Sequence, residues 1–262
     1  MRILILSDLH DDFWADYRRD PFKGIEEKIA DLDLLLLAGD ISNKPKVRWR
    51  YAFERLSHLM PLERVAVFPG NHDFYDFEID GEERLQEIAS SFSVSYVQKK
   101  QIALPGIRLL CATLWTDFEL GPGSAINKAQ IVARMNDYRK IRVASDGYRK
   151  LSPSDLIARH RDHLSWFDGE LSRLFDGKTF VVTHHAPHQC VLQDYSEGLD
   201  AAYASDLGAF IQTHQPDRWF FGHSHGAKDV SLGKTELRNV SLGYPDDVPD
   251  PGQRITSLIF EI

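Results

Sequence analysis

Five short polar clusters in the chain contain residue types that can bind metal ions or transfer protons. In chain order they are Ser7-Asp8-Leu9-His10, Gly39-Asp40, Gly70-Asn71-His72-Asp73, His184-His185 and Gly222-His223-Ser224-His225. Taken singly, each cluster is more often a turn with a solvated histidine or a capping aspartate than a set of ligands. Each one follows a short apolar run, however, and that shared position indicates a common site.

The apolar runs are predicted to be buried strands of a largely parallel sheet. They span residues 3–6, 34–38, 65–68, 180–182 and 219–221, and they are apolar without alternation, which is typical of strands covered on both faces. Helices predicted over 23–30 and 46–60 separate the first three strands, and the order βαβαβ favours parallel pairing. Ligands bind at the carboxyl ends of such strands, so we expect the five clusters to converge.

The rest of the chain gives weaker patterns. Helices are predicted over 82–91, over 152–175 and after Ser205, the second with Ser152 as N-cap, Pro153 at its first position and Asp155 completing a capping box. Strands are predicted near Ile102 and over 108–112. Beyond Lys228, antiparallel strands are predicted over 230–232, 235–240 and 255–260, and the acidic stretch 246–251 is interpreted as a solvated loop.

The candidate ligand set has a specific chemistry. It comprises two carboxylates, one amide oxygen and four imidazoles, which belong to Asp8, Asp40, Asn71, His10, His184, His223 and His225. This set is too rich in nitrogen for Ca²⁺ or Mg²⁺ alone, and it has no thiolate to suggest a structural zinc site. Seven donors exceed the need of one ion with an open position. Two transition-metal ions sharing a carboxylate, about 3.5 to 4 Å apart, would use them all and suit displacement at phosphorus.

The motifs Asp8-x-His10, Gly39-Asp40, Gly70-Asn71-His72-Asp73, His184 and Gly222-His223-x-His225 resemble, in this order, the signature of the calcineurin-like metallophosphoesterase family. The resemblance spans most of the chain. It implies an α/β fold, a four-layer α/β/β/α sandwich of two mixed sheets flanked by helices. We expect a single domain over 1–262, in which the surplus sequence around 113–151 can form a partial cap over the site.

The same resemblance implies a role for each motif residue. Asp8, His10 and His225 would hold one metal ion, Asn71, His184 and His223 the other, and Asp40 would bridge them. The ions would be divalent or trivalent manganese, iron or zinc, with a bridging hydroxide as nucleophile. His72 would act on the leaving group as general acid or stabiliser, and Asp73 would orient it. His185 would lie beside the ligands or contact substrate.

Differences between this sequence and particular branches of the family narrow the range of expected substrates. Classical Ser/Thr protein phosphatases continue the second motif with Asp-Arg-Gly and end the third with Glu, whereas this chain has Ile41-Ser42-Asn43 and Asp73. Its formal net charge of −8 and the lack of a basic tract disfavour nucleic acid. A small-molecule phosphate monoester or diester remains as the expected substrate. The alternatives are a non-catalytic binding scaffold of the same fold, or a protein phosphatase or nuclease of the family.

The composition of the chain indicates the class of protein and the cellular compartment in which this activity is expected. The chain has 262 residues, 43% hydrophobic and 27% charged, as in soluble globular proteins. Two distant cysteines and no long apolar run favour a cytoplasmic protein without a membrane partner, and the oligomeric state is left open. Four loop segments are either ordinary loop and core sequence or substrate contacts, namely residues 11–14, 74–75, 115–118 and 136–140. Within the last of them, Arg139 and Lys140 are candidates to bind a second charged or polar group of the substrate.

Overall fold

The computed structural model describes residues 1–121, 124–193, 198–226 and 228–262. The strands of this part of the chain are β1 (Arg2–Leu6), β2 (Leu34–Ala38), β3 (Val65–Phe68), β4 (Phe77–Glu78), β5 (Ser95–Tyr96), β6 (Lys100–Leu104), β7 (Ile107–Ala112), β8 (Ile141–Val143), β9 (Arg149–Lys150), β10 (Lys178–Thr183), β11 (Arg218–Phe221), β12 (Val230–Leu232), β13 (Thr235–Asn239) and β14 (Ile259–Glu261). Its helices are α1 (Asp11–Asp16), α2 (Glu26–Ala30), α3 (Pro45–Ser57), α4 (Glu82–Ser91), α5 (Ser124–Arg134), α6 (Asp137–Lys140), α7 (Pro153–Leu171), α8 (Asp200–Tyr203), α9 (Gly208–His214) and α10 (Pro251–Leu258).

Two mixed sheets form the centre of the fold. The first has the strand order β14-β1-β2-β3-β5, in which only β14 runs antiparallel to its neighbour. The second has the order β12-β13-β11-β10-β7-β6, with parallel central strands and antiparallel pairs at both edges. The parallel pairing predicted for the strands that precede the clusters is therefore confirmed.

Neighbouring aromatic residues of β11 show how the layers stack. Trp219 packs against Phe167 of α7 and Phe210 of α9, with ring centroids 6.0 and 6.3 Å away. Phe220 points to the opposite face and stacks on Phe260 of β14, in the other sheet, at 5.7 Å. Because successive strand residues face opposite sides, the second sheet has helices on one face and the first sheet on the other. The predicted α/β sandwich of two mixed sheets flanked by helices is confirmed.

The long helices follow from local signals. Pro45 begins α3, and the buried residues Trp49, Phe53 and Leu56 recur at helical spacing. In α7, the Asp155 carboxylate accepts a hydrogen bond from the backbone N–H of Ser152 at 2.8 Å, so the predicted capping box is present. None of the described helices is long and apolar enough to cross a bilayer.

The segment after β7 contains more regular structure than the sequence indicated. Strands β8 and β9 join β4 in a third, three-stranded sheet, in which Phe77 is paired with Ile141. Helix α6 lies directly before β8. Of the predicted cap region, residues 122–123 lie outside the described part of the chain. The β4–β8 pairing fixes α6 relative to the residues that follow the third motif.

The predicted strand over 255–260 is wrong for most of its length. Residues 251–258 form α10, and only the last residues continue into β14. The Asp250 side chain accepts a hydrogen bond from the backbone N–H of Gln253 at 2.8 Å, and Pro251 occupies the first turn. This Asp-Pro pair is an N-cap signal within the stretch predicted as a solvated loop. Ile255 and Leu258, three residues apart, form the buried face of the helix.

Candidate dinuclear metal centre

Each of the five clusters begins directly after a strand or one residue later, at the edge where the two sheets meet. Ser7 follows β1, Gly39 follows β2, and Gly70 lies two residues beyond β3; His184 and Gly222 follow β10 and β11. A hydrogen bond joins the two sheets here, since the His223 backbone N–H, after β11, donates to Asp8 Oδ2, after β1, at 2.9 Å. Within the first sheet, the His72 backbone N–H donates to Asp40 Oδ1 at 2.8 Å. The convergence predicted from the strand order is thus observed.

The backbone at this edge adopts conformations that L residues rarely take. Asp8, His10, Asp40 and His223 have φ values of 56°, 45°, 57° and 62°. Such left-handed residues cost free energy and cluster at functional sites. At Gly222, an added Cβ would meet the Ser7 side chain and Asp8 Oδ2. The clusters approach one another more closely than ordinary side chains would allow.

The first group of ligand-type atoms comprises Asp8, His10 and His225. Asp8 Oδ1 lies 3.3 Å from His225 Nε2 and 4.0 Å from His10 Nε2, and the two imidazole nitrogens are 3.2 Å apart. Asp8 and His10 are buried. All three can present one ligand atom within 4.8 Å of the other two.

The second group comprises Asp40, His184 and His223, again within 4.8 Å. His184 Nε2 lies 3.4 Å from Asp40 Oδ1 and 3.1 Å from the amide oxygen of Asn71. The other carboxylate oxygen of Asp40, Oδ2, lies 3.8 Å from His10 Nε2. Asp40 is therefore the carboxylate between the two groups, with one oxygen toward each.

The charges of this site depend on one another. Burial would raise the pKa of Asp8, but the hydrogen bond and charge of His225 outweigh burial and hold this pKa below its usual value. Burial lowers the pKa of His184, yet the neighbouring Asp40 and Asp8 carboxylates raise it to about 9. Burial and the charge of His184 lower the pKa of His223 to about 3.

The donor set fits two metal ions. His223 Nε2 is buried and has no hydrogen-bond partner among the described residues. A buried imidazole nitrogen without a partner is costly, and a cation would satisfy it. Carboxylate, amide and imidazole donors without thiolate suit manganese, iron or zinc.

The His72 side chain forms a hydrogen bond with Asn43 and not with Asp73. Its Nδ1 lies 3.1 Å from Asn43 Oδ1, and the Asn43 amide donates to Asp12 Oδ2 at 2.7 Å. Arg48 in turn lies 3.1 Å from the same Asp12 oxygen. Since an amide oxygen can only accept, His72 Nδ1 is the donor, and Nε2 takes no part in this bond. Burial lowers the pKa of His72, while Asp40 and Asp137 oppose this effect.

The prediction that Asp73 orients His72 is wrong, because its carboxylate accepts hydrogen bonds elsewhere. The donors are the backbone N–H groups of Gly70, Asp40, Ile41 and Ser42 and the indole N–H of Trp49, at 2.8 to 3.3 Å. Burial and the charge of Asp40 raise the pKa of Asp73 to about 7, while the N–H donors oppose the shift by stabilising the anion. Asp73 thus connects the loops of the second and third motifs, and the indole N–H of Trp49 helps to hold its carboxylate in place.

A family model described as calcineurin-like phosphoesterase matches residues 1–227. The chain belongs to this family. Its members are dinuclear-metal phosphoesterases, so the resemblance predicted from the five motifs is confirmed, together with hydrolysis of phosphoesters as the general activity.

Solved structures show the same fold at low sequence identity. The phosphopantetheinyl hydrolase PptH from Mycobacterium tuberculosis is 18% identical, has a TM-score of 0.67, and aligns over 94% of this chain and 90% of its own. A dimetal phosphatase from Danio rerio is more distant, at 15% identity and a TM-score of 0.44 over 91% of this chain and 86% of its own. No curated protein matches the sequence.

The two neighbouring histidines after β10 of this phosphoesterase contact different partners. His184 faces Asp40 and Asn71, whereas His185 lies behind it with Nδ1 3.3 Å from the carbonyl oxygen of Thr113. The His185 ring packs against His223 at 4.4 Å and Trp115 at 5.1 Å. His185 therefore supports a neighbouring imidazole.

A cavity of about 830 Å³ opens onto the candidate metal centre. Beyond the centre itself, its lining is Tyr75, Arg134, Met135, Asn136, Leu192, Gln193, Leu199, Tyr203, Ser224, Gly226, Tyr244 and Asp247. Three tyrosine rings flank site histidines: Tyr75 on His72 at 4.2 Å, Tyr203 on His223 at 4.8 Å and Tyr244 on His10 at 4.5 Å.

Sequence reasoning missed several of these residues. Tyr203 and Tyr244 lie in no motif, and only the folded chain brings them to the histidines. Of the segment 136–140, Asn136 lines the cavity, while Asp137 hydrogen-bonds to Asn71. Neither Arg139 nor Lys140 is among the described lining residues. Asn43 could have been suspected from its position just after the second motif, where polar groups can reach His72.

Proposed function

We propose that this phosphoesterase hydrolyses small-molecule phosphate esters with two transition-metal ions. Asp8, His10 and His225 hold one ion, and Asn71, His184 and His223 hold the other. The observation that carries the proposal is the position of Asp40, whose two carboxylate oxygens face the two groups of ligand-type atoms. When bound, such ions polarise phosphoryl oxygens and lower the pKa of a water molecule toward neutrality.

His72 is proposed to deliver a proton to the leaving group or to stabilise its charge. Its Nδ1 is held by Asn43, and its ring stacks on Tyr75, so its orientation is set from two sides. His72 lies in a third group of ligand-type atoms with His10 and Asp40. In the proposed mechanism it stays off the metals and faces the substrate from the cavity wall, of which it forms part.

The cavity supports a small organic molecule as substrate. A volume of about 830 Å³ lies within the range of roughly 300 to 1,000 Å³ that suits such ligands. The wall combines aliphatic side chains with three tyrosines, so the organic part of the ester has apolar as well as polar surface to contact. Arg134, Met135 and Asn136 line the cavity, and we propose on this basis that part of 113–151 caps the site.

A hydrolysis panel with Mn²⁺ added tests this function. It compares p-nitrophenyl phosphate with its bis ester, 2′,3′- and 3′,5′-cyclic nucleotides and a phosphopantetheinyl ester, the last because of the activity named for the M. tuberculosis neighbour. We expect turnover of at least one ester class. A protein that bound two ions but hydrolysed none of them would be a scaffold.

Asp40→Asn is the decisive variant for the shared carboxylate. It removes the negative charge that faces both groups, so turnover should fall below detection and metal occupancy, measured by elemental analysis, should decrease. Asp76→Asn changes an exposed carboxylate outside the cavity and serves as the matched control. An Asp40→Asn protein with two tightly bound ions and a near wild-type rate would exclude the dinuclear assignment.

A further inference from the structure

Asp137 is a buried carboxylate that lies beside the candidate metal centre but belongs to none of the five motifs. It begins α6, is only 5% exposed, and its Oδ1 accepts two hydrogen bonds. The donors are the side-chain amide of Asn71, at 2.9 Å, and the hydroxyl of Tyr75, at 2.7 Å. An acidic group is thus buried against the one amide in the candidate ligand set.

The two ends of the Asn71 amide differ in what they can bind. The oxygen can coordinate a cation, whereas the NH₂ group can only donate hydrogen bonds. The terminal torsion of an asparagine is broad and roughly two-fold, so the surroundings decide which end faces the metals. A carboxylate is an acceptor, and Asp137 therefore holds the NH₂ end. The oxygen is left on the opposite side, 3.1 Å from His184 Nε2.

The position of Asp137 is itself fixed by the backbone. The Asp76 N–H donates to the carbonyl oxygen of Lys140 at 3.1 Å, directly after Tyr75. Phe77 of β4 is then paired with Ile141 of β8. These contacts align α6 with the residues that follow the third motif, so the Asp137 carboxylate meets both Asn71 and Tyr75.

We propose that Asp137 is a positioning residue, which fixes the Asn71 amide with its oxygen toward the metal side and polarises that oxygen for coordination. The inference rests on the proposed dinuclear site. It adds that the segment between β7 and α7 contributes to metal affinity without supplying a ligand. Hydrogen-bond partners of metal ligands are typically worth 10- to 100-fold in affinity.

Metal titration of the demetallated protein tests the proposal without relying on turnover. Mn²⁺ binding is measured by calorimetry for wild type, Asp137→Asn, Asp137→Leu and Tyr75→Phe. Asp137→Leu removes the acceptor and should weaken one of the two ions by about 10- to 100-fold, while the other changes little. Asp137→Asn retains an acceptor oxygen and should lose much less affinity. Tyr75→Phe removes only the second donor and should bind both ions nearly as wild type does.

A donor and acceptor exchange separates positioning from packing. Asn71→Asp alone places two carboxylates against each other and should weaken the same ion. The double variant Asn71→Asp with Asp137→Asn restores the hydrogen bond with reversed polarity, and it should recover most of the lost affinity. A residue that only filled space would give no such recovery, and this comparison does not depend on the leucine variant being folded.

Other outcomes would overturn the proposal. If folded Asp137→Leu bound both ions as tightly as wild type, or if both ions weakened equally in every Asp137 variant and the double variant gave no recovery, Asp137 would not position Asn71. A wild-type protein that bound fewer than two ions would instead defeat the proposed dinuclear site. The two failures are therefore distinguishable.

Discussion

The strand ends and the segment between β7 and α7 contribute to the same site in different ways. The strand ends supply the candidate ligands and His72 directly, from backbone that is fixed by sheet pairing and held in left-handed conformations at Asp8 and Asp40. The intervening segment supplies the Asp137 carboxylate, which acts on Asn71, and part of the cavity wall. The ligand-type atoms come from the strand ends, and their orientation and surroundings come partly from the segment between β7 and α7.

His72→Ala would test this division most severely, because it removes a strand-end group proposed to do chemistry. We expect both metals to remain bound, while kcat falls by roughly 10² to 10⁴, the usual value of a positioned general acid. The loss should be smaller for p-nitrophenyl phosphate, whose leaving group scarcely needs a proton. Equal losses for good and poor leaving groups would favour charge stabilisation alone, and loss of a metal ion would make His72 a ligand.

Variants of Asn43 test whether its hydrogen bond to His72 contributes to turnover. Asn43→Leu removes the acceptor for His72 Nδ1 and should lower kcat, but by less than the roughly 10²- to 10⁴-fold loss expected when the general acid itself is removed. Asn43→Asp places a carboxylate beside the ring and should raise the pKa of His72, because the anion stabilises imidazolium. The acid is active when protonated, so the high-pH limb of kcat should move to higher pH. An unchanged limb would show that this proton does not control turnover.

Ser152→Ala gives the smallest expected effect, at the boundary between the intervening segment and α7. Losing a helix cap costs about 1 kcal/mol, which corresponds to about 2 to 4 °C in Tm for a domain of this size. Metal affinity should stay at the wild-type value, and Ser172→Ala, at the exposed far end of the helix, provides the control. Reduced metal affinity in Ser152→Ala would mean that the helix and the site are coupled, contrary to the division drawn above.

The site residues that could be predicted from the sequence are those that lie directly after strands. Asp8, Asp40 and His184 could be placed together because short apolar runs, followed by polar residues, set their positions before any tertiary contact is known. Asn43 and Asp137 could not be assigned in this way, since their roles depend on hydrogen bonds to residues 29 and 66 positions away in sequence. The wrong strand prediction over 255–260 differs, because the local sequence does contain the signal for the observed helix: Asp250 and Pro251 cap and begin α10.

The five N–H donors around Asp73 have a consequence for how the protein acquires its ions. The loops that carry Asp40 and Asn71 are connected within the polypeptide, through hydrogen bonds that require no metal. Ordering a residue costs roughly 1 to 2 kcal/mol, and here that cost is met during folding, whereas a zinc finger meets it when the metal binds. The demetallated protein should therefore remain folded and accept ions as a preformed receptor. The rate of metal exchange is then set by the concentration of free metal and by the dissociation rate of the bound ion, and exchange does not require unfolding.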